Sequence, residues 1–100
     1  MNMAKLTKAK RGKNRWIGLE VDRKIDSREI LEEIMSGAMI GIEWRLFDMK
    51  NKALTTLAII KIPLEDSEEA KMRINSVEGV VTKTASGKIR LVRERLGIKK

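Results

Sequence analysis

Apolar and polar positions alternate with two different periods along this chain, and each change of period marks a new element. Over residues 16–22, Ile17, Leu19 and Val21 alternate with Gly18, Glu20 and Asp22, the pattern of a half-buried strand. The period then lengthens. Ile30, Leu31, Ile34 and Met35 share one helical face, and Arg28, Glu29, Glu32 and Glu33 lie largely away from it. Asp26 followed by Glu29 has capping-box spacing, and Gly37 offers a stop. Period two returns over 42–49, where Ile42, Trp44 and Leu46 alternate with Glu43, Arg45 and Phe47. Lys50-Asn51-Lys52 predicts a turn and 54–62 a β-branched strand, and so short a link predicts a hairpin. Pro63 ends that strand. Asp66 and Glu69 repeat the capping spacing before a second helix with Ala70, Ile74 and Val77 as its buried stripe and Gly79 behind it. Val80-Val81-Thr82 reads as a short fourth strand and Ala85-Ser86-Gly87 as a loop. Residues 88–96 read as a basic helix with Ile89, Val92 and Leu96 inward and Gly97 closing it.

The predicted order, βαββαβ plus a helix, gives an α+β fold of the ferredoxin-like kind: one antiparallel sheet with two helices packed on one face. The expected organisation is a flexible basic arm over 1–14, a single domain over 15–97 and a basic tail over 98–100. One hundred residues suffice for one core and leave no room for a cofactor domain beside a substrate domain.

Charge changes the picture. The chain carries 22 Lys and Arg against 14 Asp and Glu, a net of +8, unevenly spread. Residues 1–15 have six basic residues and no acid, and residues 83–100 have seven against Glu94 alone, so each end carries +6. Residues 16–82 hold 9 basic and 13 acidic residues, a net of −4. A mildly acidic body with two basic ends points to a polyanion, most simply a nucleic acid.

The missing residue types narrow the chemistry. With no Cys there are no disulfides, thiolate zinc sites or iron–sulfur clusters; with no His the commonest general base and transition-metal ligand are gone. Gly87-Lys88 fails as a P-loop, because the preceding glycine, Gly79, is eight residues back and Ile89 replaces the Ser or Thr. Ser86 and Lys88 lack a third group to make a nucleophilic pair. Glu65, Asp66, Glu68 and Glu69 read as complements of a helix dipole rather than as a metal site. The expectation is therefore a non-enzyme without cofactor or metal. No apolar run approaches a membrane span, and the basic start lacks a signal peptide's apolar stretch, so the expectation is a cytoplasmic protein without membrane contact. Gln is absent and Ile occurs 12 times, a bias common in proteins from very hot environments.

The candidate RNA-binding residues follow from the two basic ends. Lys5, Lys8, Lys10, Arg11, Lys13 and Arg15 form the first group. Ser86, Gly87, Lys88, Arg90 and Arg93 form the second, where a Ser cap, free helical N–H groups and cations would meet a phosphate. Aromatic base readout on the sheet has thin support, since Trp16 sits at a strand edge, residues 54–62 hold no aromatic, and Trp44 and Phe47 fall on opposite faces of the second strand, with Trp44 in phase with the core.

Three segments carry a family resemblance. Lys13-Asn14-Arg15-Trp16-Ile17-Gly18-Leu19, Trp44-Arg45-Leu46-Phe47-Asp48 followed by Leu57-Ala58-Ile59-Ile60, and Thr84-Ala85-Ser86-Gly87-Lys88-Ile89-Arg90 leading into Leu91–Gly97 are similar to motifs of ribonuclease P protein component 2. That family is the small ferredoxin-like subunit of archaeal ribonuclease P. The first helix is shorter than the family's, and Lys88 stands where the family usually has Thr, so the chain resembles a shortened or divergent paralogue. The resemblance implies a non-catalytic subunit that supports the catalytic RNA in tRNA 5′ maturation, beside other protein subunits of the same particle. A ribosomal protein binding rRNA is the alternative, and a protein–protein adaptor using the acidic middle and an open sheet face is the second.

Overall fold

The computed structural model of the protein describes residues 13–98. They form β1 (Asn14–Val21), α1 (Arg28–Ser36), β2 (Arg45–Lys52), β3 (Thr55–Pro63), a 3-10 turn (Leu64–Asp66), α2 (Ser67–Asn75), β4 (Val80–Ser86) and α3 (Ile89–Leu96). The strands make one sheet in the order β2-β3-β1-β4, with every neighbouring pair antiparallel. This is an α+β architecture of four antiparallel strands and three helices, compatible with a small ferredoxin-like fold.

The alternation in β1 decides how the two faces are used. Ile17, Leu19 and Val21 point to the first face, joined by Leu46, Ala58, Ile60, Ile62 and Val80 from the other strands. Leu31 and Met35 of α1 and Ala70 and Ile74 of α2 close over them. Burying a side chain of this size contributes roughly 1.5–3 kcal/mol. The other parity of β3, Leu57 and Ile59, points to the second face and forms a separate cluster with Val92, Leu96 and Ile98. The C-terminal helix thus lies across the sheet face that the adaptor alternative takes as open.

Gly18 explains how α3 comes so close. A Cβ there would sit 2.8 Å from Leu96 Cδ1, 2.9 Å from Val92 Cγ1 and 3.1 Å from Thr84 Cγ2. The helix then ends on Gly97 in the left-handed conformation, φ 77°. Gly97 N–H donates to Glu94 O and Ile98 N–H to Arg93 O, a Schellman closure that turns Ile98 inward, so the buried second cluster extends one residue past the expected end of the domain.

Several boundaries differ from the sequence expectation, each for a local reason. α1 is capped by Ser27, whose Oγ accepts from Ile30 N–H at 3.3 Å, and not by Asp26. Gly37 follows α1 as expected but in right-handed backbone; the left-handed residue is Gly41. β2 begins at Arg45, not 42, and runs through Lys52, so the hairpin turn falls on Ala53-Leu54 instead of 50–52. Asn51 stays in the strand because its amide donates to Ile25 O and Thr56 Oγ1. The same buried hydroxyl of Thr56 accepts from Ile25 N–H and donates to Arg23 O, fastening the β1–α1 connection to the sheet. Asp66 makes no side-chain cap; the 3-10 turn leads into α2 instead. β4 runs on to Ser86 because Ala85 and Ser86 pair with Ile17 and Trp16.

Candidate functional site

Both outer ladders of the sheet carry irregularities that set up the second face. In β2 the register shifts between Leu46 and Asp48, so Phe47 and Asp48 both reach that face, where strict alternation would have sent Asp48 into the first core. Asp48 is buried, and α3 supplies its partner: Arg93 Nε donates to Asp48 Oδ2 at 2.6 Å and Nη2 to Oδ1 at 3.3 Å. The hydrogen bond to Asp48 and the attraction of its charge raise the Arg93 guanidinium above its ordinary range, against the opposing effect of burial. Beside β4, the shift at Gly18/Leu19 skips Lys83, which reaches Glu20 at 3.5 Å.

α3 covers only part of the second face. At the uncovered end one transverse row crosses all four strands: Arg45 of β2 opposite Lys61 of β3, Lys61 opposite Trp16 of β1, and Trp16 opposite Ser86 of β4. Phe47 leans into this row and meets Trp16 edge to face, with centroids 4.7 Å apart and planes at 89°. Lys61 Nζ lies 5.7 Å from the Trp16 ring centre and 5.9 Å from that of Phe47, and Arg45 Cζ lies 6.0 Å from Phe47. Trp16, Phe47 and Lys61 are half-buried and Arg45 is exposed. An open groove, lined by Trp44, Arg45 and Lys61 and also by Glu43, continues from this end.

The sequence-predicted residues fall into three groups. Lys5, Lys8, Lys10 and Arg11 lie outside the described residues. Arg15, Ser86, Gly87 and Lys88 come together: Ser86 ends the transverse row, Gly87 and Lys88 follow it exposed, and a Cβ on Gly87 would lie 3.7 Å from Arg15 Nη1. Lys13 is exposed just before β1, and Arg90 is exposed on the first turn of α3. Arg93 stands apart, because its guanidinium is committed to Asp48.

One local expectation is corrected. Ser86 is not the cap of α3; Lys88 holds that position without a side-chain bond, and Ser86 Oγ accepts the Lys88 N–H at 3.1 Å, so that donor is already occupied. Gly87 is outside the left-handed region, so no backbone requirement selects glycine there. Sequence reasoning missed Lys61 and Arg45, and it weighed Trp16 and Phe47 for base readout but set them aside. One signal could have found them: Asp48 falls in phase with Ile42, Trp44 and Leu46, and a carboxylate at a core position marks a bulge.

The acids 65, 66, 68 and 69 do not converge on a cation. Glu68 pairs with Lys71 and Glu69 with Arg73 along α2, and among the described residues no group of acids is placed to hold a metal ion. Among the same residues no helix is long and apolar enough to cross a membrane. No protein-family model matches the chain, and a search of curated proteins finds no match.

Proposed function

We propose that this protein is a non-catalytic RNA-binding subunit of a ribonucleoprotein. One observation carries the reading: Lys61 and Arg45 meet the half-buried Trp16 and Phe47 rings at one end of the second face, and Arg15 lies beside Gly87 at the same end of the sheet, at the junction with the basic C-terminal segment. Cations spaced along a surface suit a phosphate backbone, and exposed rings beside them suit bases. The finer fold proposed is a ferredoxin-like βαββαβ sandwich with a basic C-terminal helix and a basic N-terminal arm that adds further phosphate contacts. On the sequence resemblance, the particle is ribonuclease P, where the RNA performs the hydrolysis of the tRNA precursor and the protein supports its fold.

Affinity purification from the native cell, followed by sequencing of the bound RNA, tests the assignment. Ribonuclease P RNA is the expected product; ribosomal RNA would move the protein to the ribosome. Binding of the recovered RNA should weaken by roughly 10³-fold between about 50 and 200 mM salt if some six phosphates are contacted. Purification of proteins without RNA would overturn the reading in favour of an adaptor.

A further inference from the structure

We propose that the Trp16–Phe47 pair is a stacking site for an unpaired base of single-stranded RNA. The inference rests on the RNA-binding reading and narrows it, from an RNA surface in general to a looped or single-stranded nucleotide held at a named place. Two of the chain's three aromatic residues meet here: Trp16 packs against the second cluster, yet both rings stay partly open to solvent at the end of the face that α3 leaves uncovered. An edge-to-face contact uses one ring's edge and one face of the other, so ring surface remains for a further partner. The partner's charge is set by the neighbours. Lys61 lies over both rings and Arg45 over Phe47, long side chains that a stacking base would move aside toward its own phosphates, and the strand row leads from Trp16 to the Ser86-Gly87-Lys88 loop beside Arg15. A nucleotide satisfies both demands, with a flat base for the rings and phosphates for the cations. Base-paired RNA does not, because its bases are already stacked and its major groove is too narrow for side chains to read. The groove bordered by Arg45 and Lys61 gives the chain of nucleotides a path away from the rings.

Trp44→Phe keeps a ring on the groove wall and leaves Trp16 as the sole indole of the full chain; with its oligouridine affinity first compared with that of the unaltered protein, its fluorescence reports this site directly. Titration with a ten-nucleotide oligouridine should quench it, and a ten-base-pair RNA duplex should bind through phosphates with little change in emission. Trp16→Leu keeps an apolar side chain against the second cluster, Phe47→Leu keeps one at the bulge, and each removes a ring. Each should weaken oligouridine binding about 5- to 100-fold and leave duplex binding near wild type, and Trp16→Phe should recover most of the loss. Oligouridine that binds without quenching, or leucine variants that bind it as wild type does, would overturn the stacking site and leave the RNA reading standing. Failure of the unaltered protein to bind either RNA would overturn both. Because leucine at 16 could loosen α3, melting curves accompany each variant; if the leucine proteins are unfolded, the quenching experiment on Trp44→Phe decides alone.

Discussion

The two faces of the sheet are built from the same strands and finished differently. On the first face Ile17, Leu19, Val21 and Ile60 are inaccessible to solvent, and two helices seal them. On the second, one helix of eight residues covers Gly18, Leu57 and Ile59, pinned by a glycine contact, an ion pair and a Schellman turn, and the end around Trp16 stays open. The difference teaches a division of labour by parity. In β1 the odd positions make the core, and the even positions, Trp16, Gly18 and Glu20, face a ring partner, a helix and the Lys83 ammonium. Changes on the first face should therefore act on folding, and changes at the open end of the second should act on binding.

The largest expected effect tests that division. Leu19→Ala should cost about 2–5 kcal/mol, as for other enclosed leucines, and lower the melting temperature by about 4–8 °C for each kcal/mol. Leu96→Ala, in the smaller cluster where α3 can settle onto the gap, should cost less. Thermal melts of both variants check the ranking, and an equal or greater loss for Leu96→Ala would erase the distinction between the faces.

Next comes the pin between α3 and β2. Arg93→Ala leaves Asp48 buried without its guanidinium and should cost about 1.5–3 kcal/mol. It should cost less than breaking a fully enclosed pair, because a quarter of the Arg93 side chain already meets water. Arg90→Ala, three residues earlier and exposed, should stay within about 0.5 kcal/mol while weakening RNA binding. Replacing Lys88, Arg90 and Arg93 together would mix a binding effect with a folding one; Lys88 and Arg90 alone separate them. The sign of the pH dependence also follows. A folded-state value raised above the unfolded one gives stability that is present below the unfolded value and lost only on rising through the folded one. For Arg93 that window lies above the ordinary arginine range, well beyond neutral pH. The melting difference between wild type and Arg93→Ala should hence be constant between about pH 7 and 10.

Periodicity made the elements legible because most side chains here obey it. The stripe Ile89, Val92 and Leu96 located α3, and Ile17, Leu19 and Val21 located the first core, without any long-range information. Periodicity could not tell which face α3 would choose. That choice rests on Gly18, whose missing side chain has meaning only once the helix is above it. The site was half legible for the same reason. Ser86 to Lys88 and Arg15 announce themselves by charge and loop chemistry. The Arg45, Lys61 and Trp16 row is a matter of register between strands far apart in sequence, and the bulge that lifts Phe47 into it breaks the pattern from which the strand was read.

The smallest effects compare two glycines on the way into and under α3. Gly18→Ala drives a Cβ against Val92 Cγ1 and Leu96 Cδ1. The leucine tip can turn aside, but the branched valine has less freedom, so the cost should be about 1–2 kcal/mol, the lower part of the range for overpacking. Gly87→Ala meets only Arg15 Nη1, at 3.7 Å, in backbone outside the left-handed region. It should change stability by no more than about 0.5 kcal/mol, or raise it slightly by restricting the unfolded chain. The informative measurement on this variant is RNA affinity at fixed salt. If a phosphate approaches the Gly87 backbone closely, the added methyl group should weaken binding although the melting curve is unmoved. An affinity equal to wild type would place the phosphate contacts on the Arg15, Lys61 and Lys88 side chains alone and remove the loop backbone from the interface.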